Sequence, residues 1–364
     1  MRRIETTTDP YPVDRSVNRS APPSTTPAGI RRRATLKDVA QAAGVSLSTT
    51  SRALSGEGYV APAVRDRVRE VADRLGYVPH AMARSLRSQV SRSIGVLVSD
   101  LRNSFYADLA AGIAGRARDV GYTMTLVDDQ GSAEDELSAA RAFVSTRAAG
   151  VIVTPVSAEV SAYLLAQHVP LVEVDRQFFP DRCDAVVIDN QRMAAELTEH
   201  LLALGHRRIA MLIDETEWTT GAARSAGYRE ALAVAGVPPD PELLVAAGWE
   251  VDGARRSAVE LLATRHRPTA ILAANNVLAE GLWRAVSDLG LRVPTDVSIA
   301  SFDDARWMSM VSPGVTAVAQ DVVALGAAAV DRLLARFATP DERPRTVTLA
   351  AQILPRASTA APPA

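Results

Sequence analysis

The sequence predicts an α/β protein: a small three-helix headpiece carrying a helix-turn-helix, followed by a two-lobed body of doubly wound parallel sheets. Three observations carry this prediction. Two short helix signals meet across a glycine turn at Thr35–Leu54. Charge is divided along the chain, with 12 Arg/Lys against 5 Asp/Glu over residues 31–92 although the whole chain has a net charge of -2. From Ser93 onward short apolar runs alternate with amphipathic helical stretches, the texture of parallel strands covered by helices on both faces.

The first element follows from its ends. Thr35 is suited to cap a helix, with Asp38 favouring the positive helix start. Leu36, Val39, Ala40 and Ala43 form one apolar stripe, and Gly44 suits the left-handed residue that stops the helix. Ser46 then caps a second helix, Leu47 to Leu54. Two helices joined by so short a turn form a helix-turn-helix, whose second helix can enter the major groove. Its outward face carries Ser48, Thr49, Ser51 and Arg52. Arginine is the side chain best matched to the paired acceptors of a guanine edge. Pro62 opens a third helix in the first-turn position that proline tolerates, with Val64, Val68, Val71, Ala72 and Leu75 facing inward and Gly76 at its end. Residues 1–33 lack periodicity and are expected to be disordered, with Arg31–Arg33 a solvated charge run.

In the body the expected strands are 94–98, 124–127, 150–153, 171–174, 185–188, 209–213, 243–245, 270–273 and 298–302, separated by helices over 106–120, 134–146, 162–167, 193–204, 223–235, 253–264 and 278–289. A late helix over 321–337 and strands over 346–349 and 352–354 return to the two lobes. A single cysteine, Cys183, excludes an internal disulfide and a multi-cysteine metal site. No apolar run approaches the roughly 18 residues that span a bilayer, and the N-terminus lacks a signal peptide's apolar core, so a cytoplasmic location is expected. The five histidines (His80, His168, His200, His206, His266) show no metal-ligand spacing. There is no P-loop and no Gly-x-Ser-x-Gly elbow, and Gly112-Ile-Ala-Gly115 lies inside a helix instead of opening one. No catalytic residue, metal or cofactor is therefore expected.

Residues 35–87, in helix order, spacing and the stretch from Gly76-Tyr77-Val78-Pro79 to Leu86, resemble the headpiece and hinge of the LacI/GalR family of bacterial transcription regulators. The resemblance continues through Leu204-Gly-His-Arg-Arg-Ile-Ala210, Arg224-Ser-Ala-Gly-Tyr228, Ser301-Phe-Asp-Asp304 and Leu354-Pro-Arg-Ala-Ser-Thr359. It implies a periplasmic-binding-protein-like body. The implied division is a tail (1–33), a headpiece (34–78), a hinge (79–92), a body (93–359) and a tail (360–364). Within the body, one lobe would comprise about 93–188 plus 319–349, the other about 189–318 plus 350–359. This sequence departs from the family at Ala61, where a capping Ser or Thr is usual, and at Ser104, Met193 and Asn276.

The resemblance implies DNA contacts from Thr35, Ser46, Leu47, Ser48, Thr49, Ser51, Arg52, Ser55 and Tyr59, and from Ala83 and Leu86 of the hinge, where Leu86 occupies the position of a minor-groove wedge. It implies effector contacts from Phe105, Asp175, Arg224, Trp249, Asn275 and Asp303. Aspartate accepts from hydroxyls, arginine donates a fixed fork, asparagine does both, and an indole offers a flat apolar face. That set suits a sugar, with a purine or nucleoside as the alternative. The expected protein is thus a regulator, most readily a repressor, working as a homodimer on double-stranded operator DNA under a small-molecule effector. A solute-binding protein and an α/β-cleft enzyme are the rivals from other classes. The basic headpiece argues against the first and the missing catalytic constellation against the second.

Overall fold

The computed structural model describes residues 34–56, 58–77, 91–214 and 218–363. Arg31–Arg33, Ala83 and Leu86 lie outside the described residues. The chain divides into two compact units, a headpiece and a body.

The headpiece has three helices: α1 (Leu36–Ala43), α2 (Leu47–Ser55) and α3 (Pro62–Arg74). Thr35 and Asp38 form a reciprocal capping box, Asp38 N–H donating to Thr35 Oγ1 at 3.3 Å and Thr35 N–H to Asp38 Oδ2 at 2.8 Å. Gly44 takes φ 67°, and Ser46 Oγ then accepts from Thr49 N–H at 3.1 Å to start α2. Ala61 gives α3 no side-chain cap. Val39, Ala43, Ala53, Val60, Val68, Val71 and Ala72 make one small core, which is what fixes the angle between α1 and α2.

The body opens with β1 (Ser93–Val98), α4 (Ser104–Asp119), β2 (Thr123–Asp128), α5 (Ala133–Ser145), β3 (Gly150–Val153), α6 (Ala158–Ala166), β4 (Leu171–Val174) and β5 (Asp184–Ile188). The alternation restarts with α7 (Asn190–Ala203), β6 (Ile209–Ile213), α8 (Thr219–Val234), β7 (Leu244–Ala246), α9 (Val251–Leu262), β8 (Ala270–Ala273), α10 (Asn276–Asp288) and β9 (Ser298–Phe302). Last come β10 (Thr316–Gln320), α11 (Val322–Ala338), β11 (Thr346–Leu349) and β12 (Ala351–Leu354). Two six-stranded sheets result, in the orders β11-β5-β4-β3-β1-β2 and β12-β10-β9-β8-β6-β7. Every pairing is parallel except β10 with β12. The central strands β3, β4, β6, β8 and β9 are buried throughout, as strands covered on both faces must be, with Glu173, Ser298 and Ser301 the polar residues among them.

Most boundaries fall within one to three residues of the sequence reading; two helix starts and one strand depart further. The helix expected at 162–167 begins at Ala158, because Ser157 Oγ caps it by accepting from Glu159 N–H. Helix α8 starts at Thr219, four residues earlier than its apolar stripe. Strand β10 was not expected; it joins the second sheet beside β9 and runs to Gln320.

The late segments complete the first lobe. Helix α11 sends Leu325, Ala329, Val330 and Leu333 into the core shared by Ile94, Val96, Leu109 and Ile113. Its crossing with α4 is close enough that glycine is required: a Cβ on Gly112 would lie 2.2 Å from Val323 O, and one on Gly326 would lie 2.4 Å from Leu109 O. The second lobe has one continuous core around Ile209–Ile213, Ala270–Ala273 and Ile299–Phe302. His206 fastens the chain end to it, with Nδ1 2.9 Å from Thr269 Oγ1 and Nε2 2.8 Å from the Ala360 carbonyl oxygen.

Candidate ligand cleft and nucleic-acid interface

Parallel strands deliver their carboxyl ends to one edge of each sheet, and ligands gather there. In the body both edges face a shared cavity of about 50 Å3. Phe105, Asp175, Arg224, Trp249, Asn275 and Asp303 all line it, six residues far apart in sequence. Asp175 and Asp303 directly follow β4 and β9, with left-handed φ values of 67° and 62° that turn the chain sharply off the sheet. Asn275 caps α10, its Oδ1 accepting from Leu278 N–H while its Nδ2 donates to Asp214 Oδ2, both at 2.9 Å.

Two buried guanidiniums organise the cavity. Arg224 donates from Nε to Asn190 Oδ1 at 2.7 Å and from Nη1 to the Ala274 carbonyl at 2.5 Å. It lies over the Phe302 ring at 4.2 Å and 3.7 Å from Asp303 Oδ2, while Gln320 holds the other Asp303 oxygen at 2.6 Å. Arg176 donates from Nη2 to the Tyr106 hydroxyl at 2.8 Å and from Nη1 to Ser99 Oγ and the Pro155 carbonyl at 3.3 and 3.4 Å. Trp218 covers its guanidinium. Against these two cations stand the carboxyls of Asp175, Asp214 and Asp303. Burial pushes Asp175 up to about 6, with Arg176 and Arg224 pulling it down and Asp303 and Asp214 pushing it further up. Asp214 is raised for the same first reason.

Two buried polar atoms in this wall, Arg176 Nε and Asp214 Oδ1, have no hydrogen-bond partner. Arg176 Nε lies 3.9 Å from Asp175 Oδ2, too far for a hydrogen bond, and a donor and an acceptor with no hydrogen bond on one cavity are the complement of a hydroxyl-bearing ligand. Arg176, Asp214, Trp218 and Asn103 were not singled out as contacts from sequence. Asp214 obeys the strand-end pattern that exposed Asp175 and Asp303, since it directly follows β6.

The headpiece presents a different surface. Ser46, Leu47, Ser48, Ser51 and Arg52 line a shallow concavity along α2. Leu47 is 45% exposed although apolar, and Tyr59 is 87% exposed. Thr35, Ser55 and Tyr59 are exposed outside that concavity, and Thr49 is half-buried. Thr50 points the other way, fully buried, its hydroxyl donating to the Ser46 carbonyl. Polar side chains therefore lie outward on α2 with one guanidinium among them, as a groove-reading helix requires. Among the described residues no group of His, Cys, Asp and Glu could hold a metal ion, and no helix is long and apolar enough to cross a membrane.

A helix-turn-helix unit joined to a two-lobed body with a polar, aromatic-walled cleft defines the class: a DNA-binding regulator with an effector-binding domain. The chain belongs to the LacI family of bacterial regulatory proteins. Residues 35–80 match that family's model, and residues 198–359 match the periplasmic binding protein-like domain. The ribose operon repressor of Haemophilus influenzae is 30% identical over 87% of this chain and 96% of its own length. A crystal structure of the Lac repressor dimer bound to operator and an anti-inducer aligns with a TM-score of 0.79 at 28% identity, covering 91% of this chain and all of that one. A LacI-family regulator from Enterococcus faecium with bound ribose aligns with a TM-score of 0.67 at 29% identity, over 74% of this chain and 99% of that one.

Proposed function

We propose that this protein is a repressor whose grip on operator DNA is controlled by a small, uncharged sugar held between the two lobes. The observation that carries the reading is the cavity lined by Phe105, Asp175, Arg224, Trp249, Asn275 and Asp303, with Arg176 Nε and Asp214 Oδ1 left without hydrogen bonds in its wall. Both guanidiniums are already engaged by protein oxygens, and carboxyls outnumber them. The site thus favours a ligand that brings hydroxyl donors over one that brings anionic groups. The aromatic rings argue against a stacked purine: Trp218 covers Arg176, Phe105 and Tyr106 meet edge to face at 5.2 Å, and Trp249 lies against Gly131 of the other lobe. The ribose operon repressor and the ribose-bound regulator among the relatives fit the same class.

In this reading residues 34–78 bind DNA, 79–92 form the hinge and 93–359 bind effector and dimerise. Two headpieces of a homodimer meet the half-sites of a two-fold operator. Ser48, Ser51 and Arg52 read the major groove, while Ala83 and Leu86 act from the hinge. The protein works in the cytoplasm and catalyses no reaction.

The test is calorimetry against D-ribose, D-xylose, D-glucose, D-galactose, adenine and guanosine, with a gel-shift on operator-like DNA with and without each binder. Saturable binding of a sugar that changes DNA affinity supports the reading; binding of a purine alone overturns the sugar assignment.

A further inference from the structure

The inner cavity opens into a wider outer space of about 700 Å3 between the lobes, and the two share Asp100, Asn103, Trp249 and Val277 as their common wall. At that wall the lobes are joined side chain to side chain. Asn276, the first residue of α10 in the second lobe, donates from Nδ2 to Oδ1 of Asn103, the residue that caps α4 in the first lobe, at 2.9 Å.

The roles in this bridge are fixed by what Asn103 does at home. Its Oδ1 accepts from Phe105 N–H at 3.0 Å, which caps α4 and sets which end of the amide is oxygen. A committed acceptor needs a donor opposite it. An amide at 276 supplies one; a carboxylate would set oxygen against oxygen. Asn276 is itself only 7% exposed, and its own Oδ1 is buried without a partner. The side chain is thus held for its N–H although the position leaves an acceptor unpaired. Its placement is firm, because the preceding Asn275 caps α10. Other cross-lobe contacts include Trp249 against Gly131, the Gln177 N–H donating to Thr219 Oγ1 at 3.2 Å, and Arg306 Nη2 to Asp108 Oδ1 at 3.2 Å, the last an exposed pair that contributes little in water.

We propose that Asn276 is the positioning residue that latches the two lobes over the inner cavity, and that its N–H, not its bulk, is what the latch requires. The inference rests on the reading of that cavity as the effector site. Its prediction is asymmetric. Asn103→Asp keeps an oxygen able to accept from both Phe105 and Asn276, so the latch survives. Asn276→Asp and Asn276→Ala remove the donor, so the mouth opens.

The experiment uses the full chain with spin labels on cysteines introduced at Arg118 and Arg256, exposed positions on α4 and α9, one per lobe. Labelled chains are diluted into unlabelled ones so that only distances within one chain are read. Asn103→Asp should retain the parent distance distribution, and both Asn276 variants should lengthen and broaden it. Dissociation of D-ribose, or of whichever sugar in the panel binds, should be about ten-fold faster in Asn276→Asp. Parent-like distances in both Asn276 variants overturn the latch, as does an Asn103→Asp chain that opens as far as they do. If no sugar binds the parent while the distances behave as stated, the latch stands and the sugar reading falls.

Discussion

The guanidinium of Arg176, on the first lobe, lies against the indole of Trp218, on the second, 3.8 Å from the ring centroid. The contact spans the cleft, so it forms only when the lobes are together. It also shields a buried cation whose Nε makes no hydrogen bond and lies 3.9 Å from Asp175 Oδ2. A desolvated cation–π contact contributes about 2 kcal/mol, so Trp218→Ala should weaken effector binding about thirty-fold. Calorimetry checks this, with the melting temperature of the free protein as control. Parent-like affinity would remove Trp218 from the coupling between lobes.

Asp303 can be tested without disturbing its backbone. Its φ of 62° is one that asparagine tolerates well, so Asp303→Asn retains the turn and removes the charge. The change should cost about 1–1.5 kcal/mol of effector affinity, roughly five- to ten-fold, because a charged hydrogen bond becomes a neutral one. Operator binding without effector should be unchanged. A lower melting point together with lost DNA binding would instead show that Asp303 holds the fold through Arg224 and Gln320.

The pH dependence of stability should come from two buried carboxyls of the first lobe. Asp129 accepts from Gly131 N–H and Glu136 from Val156 N–H, each at 2.9 Å. Burial pushes them up to about 7 and about 8, partly offset by those hydrogen bonds and by Arg176. The folded state therefore holds protons that the unfolded chain has lost above about pH 4. The stability these groups supply is full below that pH and is lost as pH rises through about 7 to 8. His206, lowered chiefly by burial, acts in the opposite sense, costing stability as pH falls through about 6.5. Comparison with Glu136→Gln separates the two: its melting temperature should decline less than the parent's between about pH 5 and about pH 8. Parallel melting curves would show that Glu136 does not titrate in that range.

On the headpiece, Arg52 is exposed on α2 beside Ser48 and Ser51. Arg52→Ala should reduce operator affinity by about 1–3 kcal/mol per half-site at fixed salt, and relax specificity at one base position. Thr35→Ala removes the reciprocal cap of α1 and should lower headpiece stability by about 1 kcal/mol. An Arg52→Ala protein with the parent's operator titration would assign recognition to other side chains.

The fold was legible because its signals are local. Short, largely apolar runs ended by Asp175 or Asp303, and caps such as Thr35 and Ser46, mark strands, helices and the cleft edge without reference to anything distant. Asp214 sits at the end of β6 in the same way, so its place in the cleft was available to the same rule. Arg176 and Trp218 were not legible, because a cross-lobe stack has no periodicity in the chain. Nor was β10: Thr-Ala-Val-Ala-Gln has little β propensity of its own and is a strand because β9 and β12 flank it. The Asn103–Asn276 bridge depends on donor and acceptor roles that only geometry assigns.

The threading of α11 and β11 into the first lobe has a consequence for the order of synthesis. Asp184, fully buried at the start of β5, is gripped by Arg332 at 3.2 Å and Arg336 at 2.8 Å from α11, and by the Arg345 backbone N–H at 2.8 Å. Strand β11 then covers the open edge of β5. When the ribosome has finished β5, none of these exists. At typical elongation rates the nascent first sheet waits about 10–30 s with one edge unpaired, one face lacking its helix and an aspartate lacking its cations. The lobe translated first is thus finished only with the chain's last segments, and a chain terminated between the two halves would release an aggregation-prone sheet instead of a folded domain.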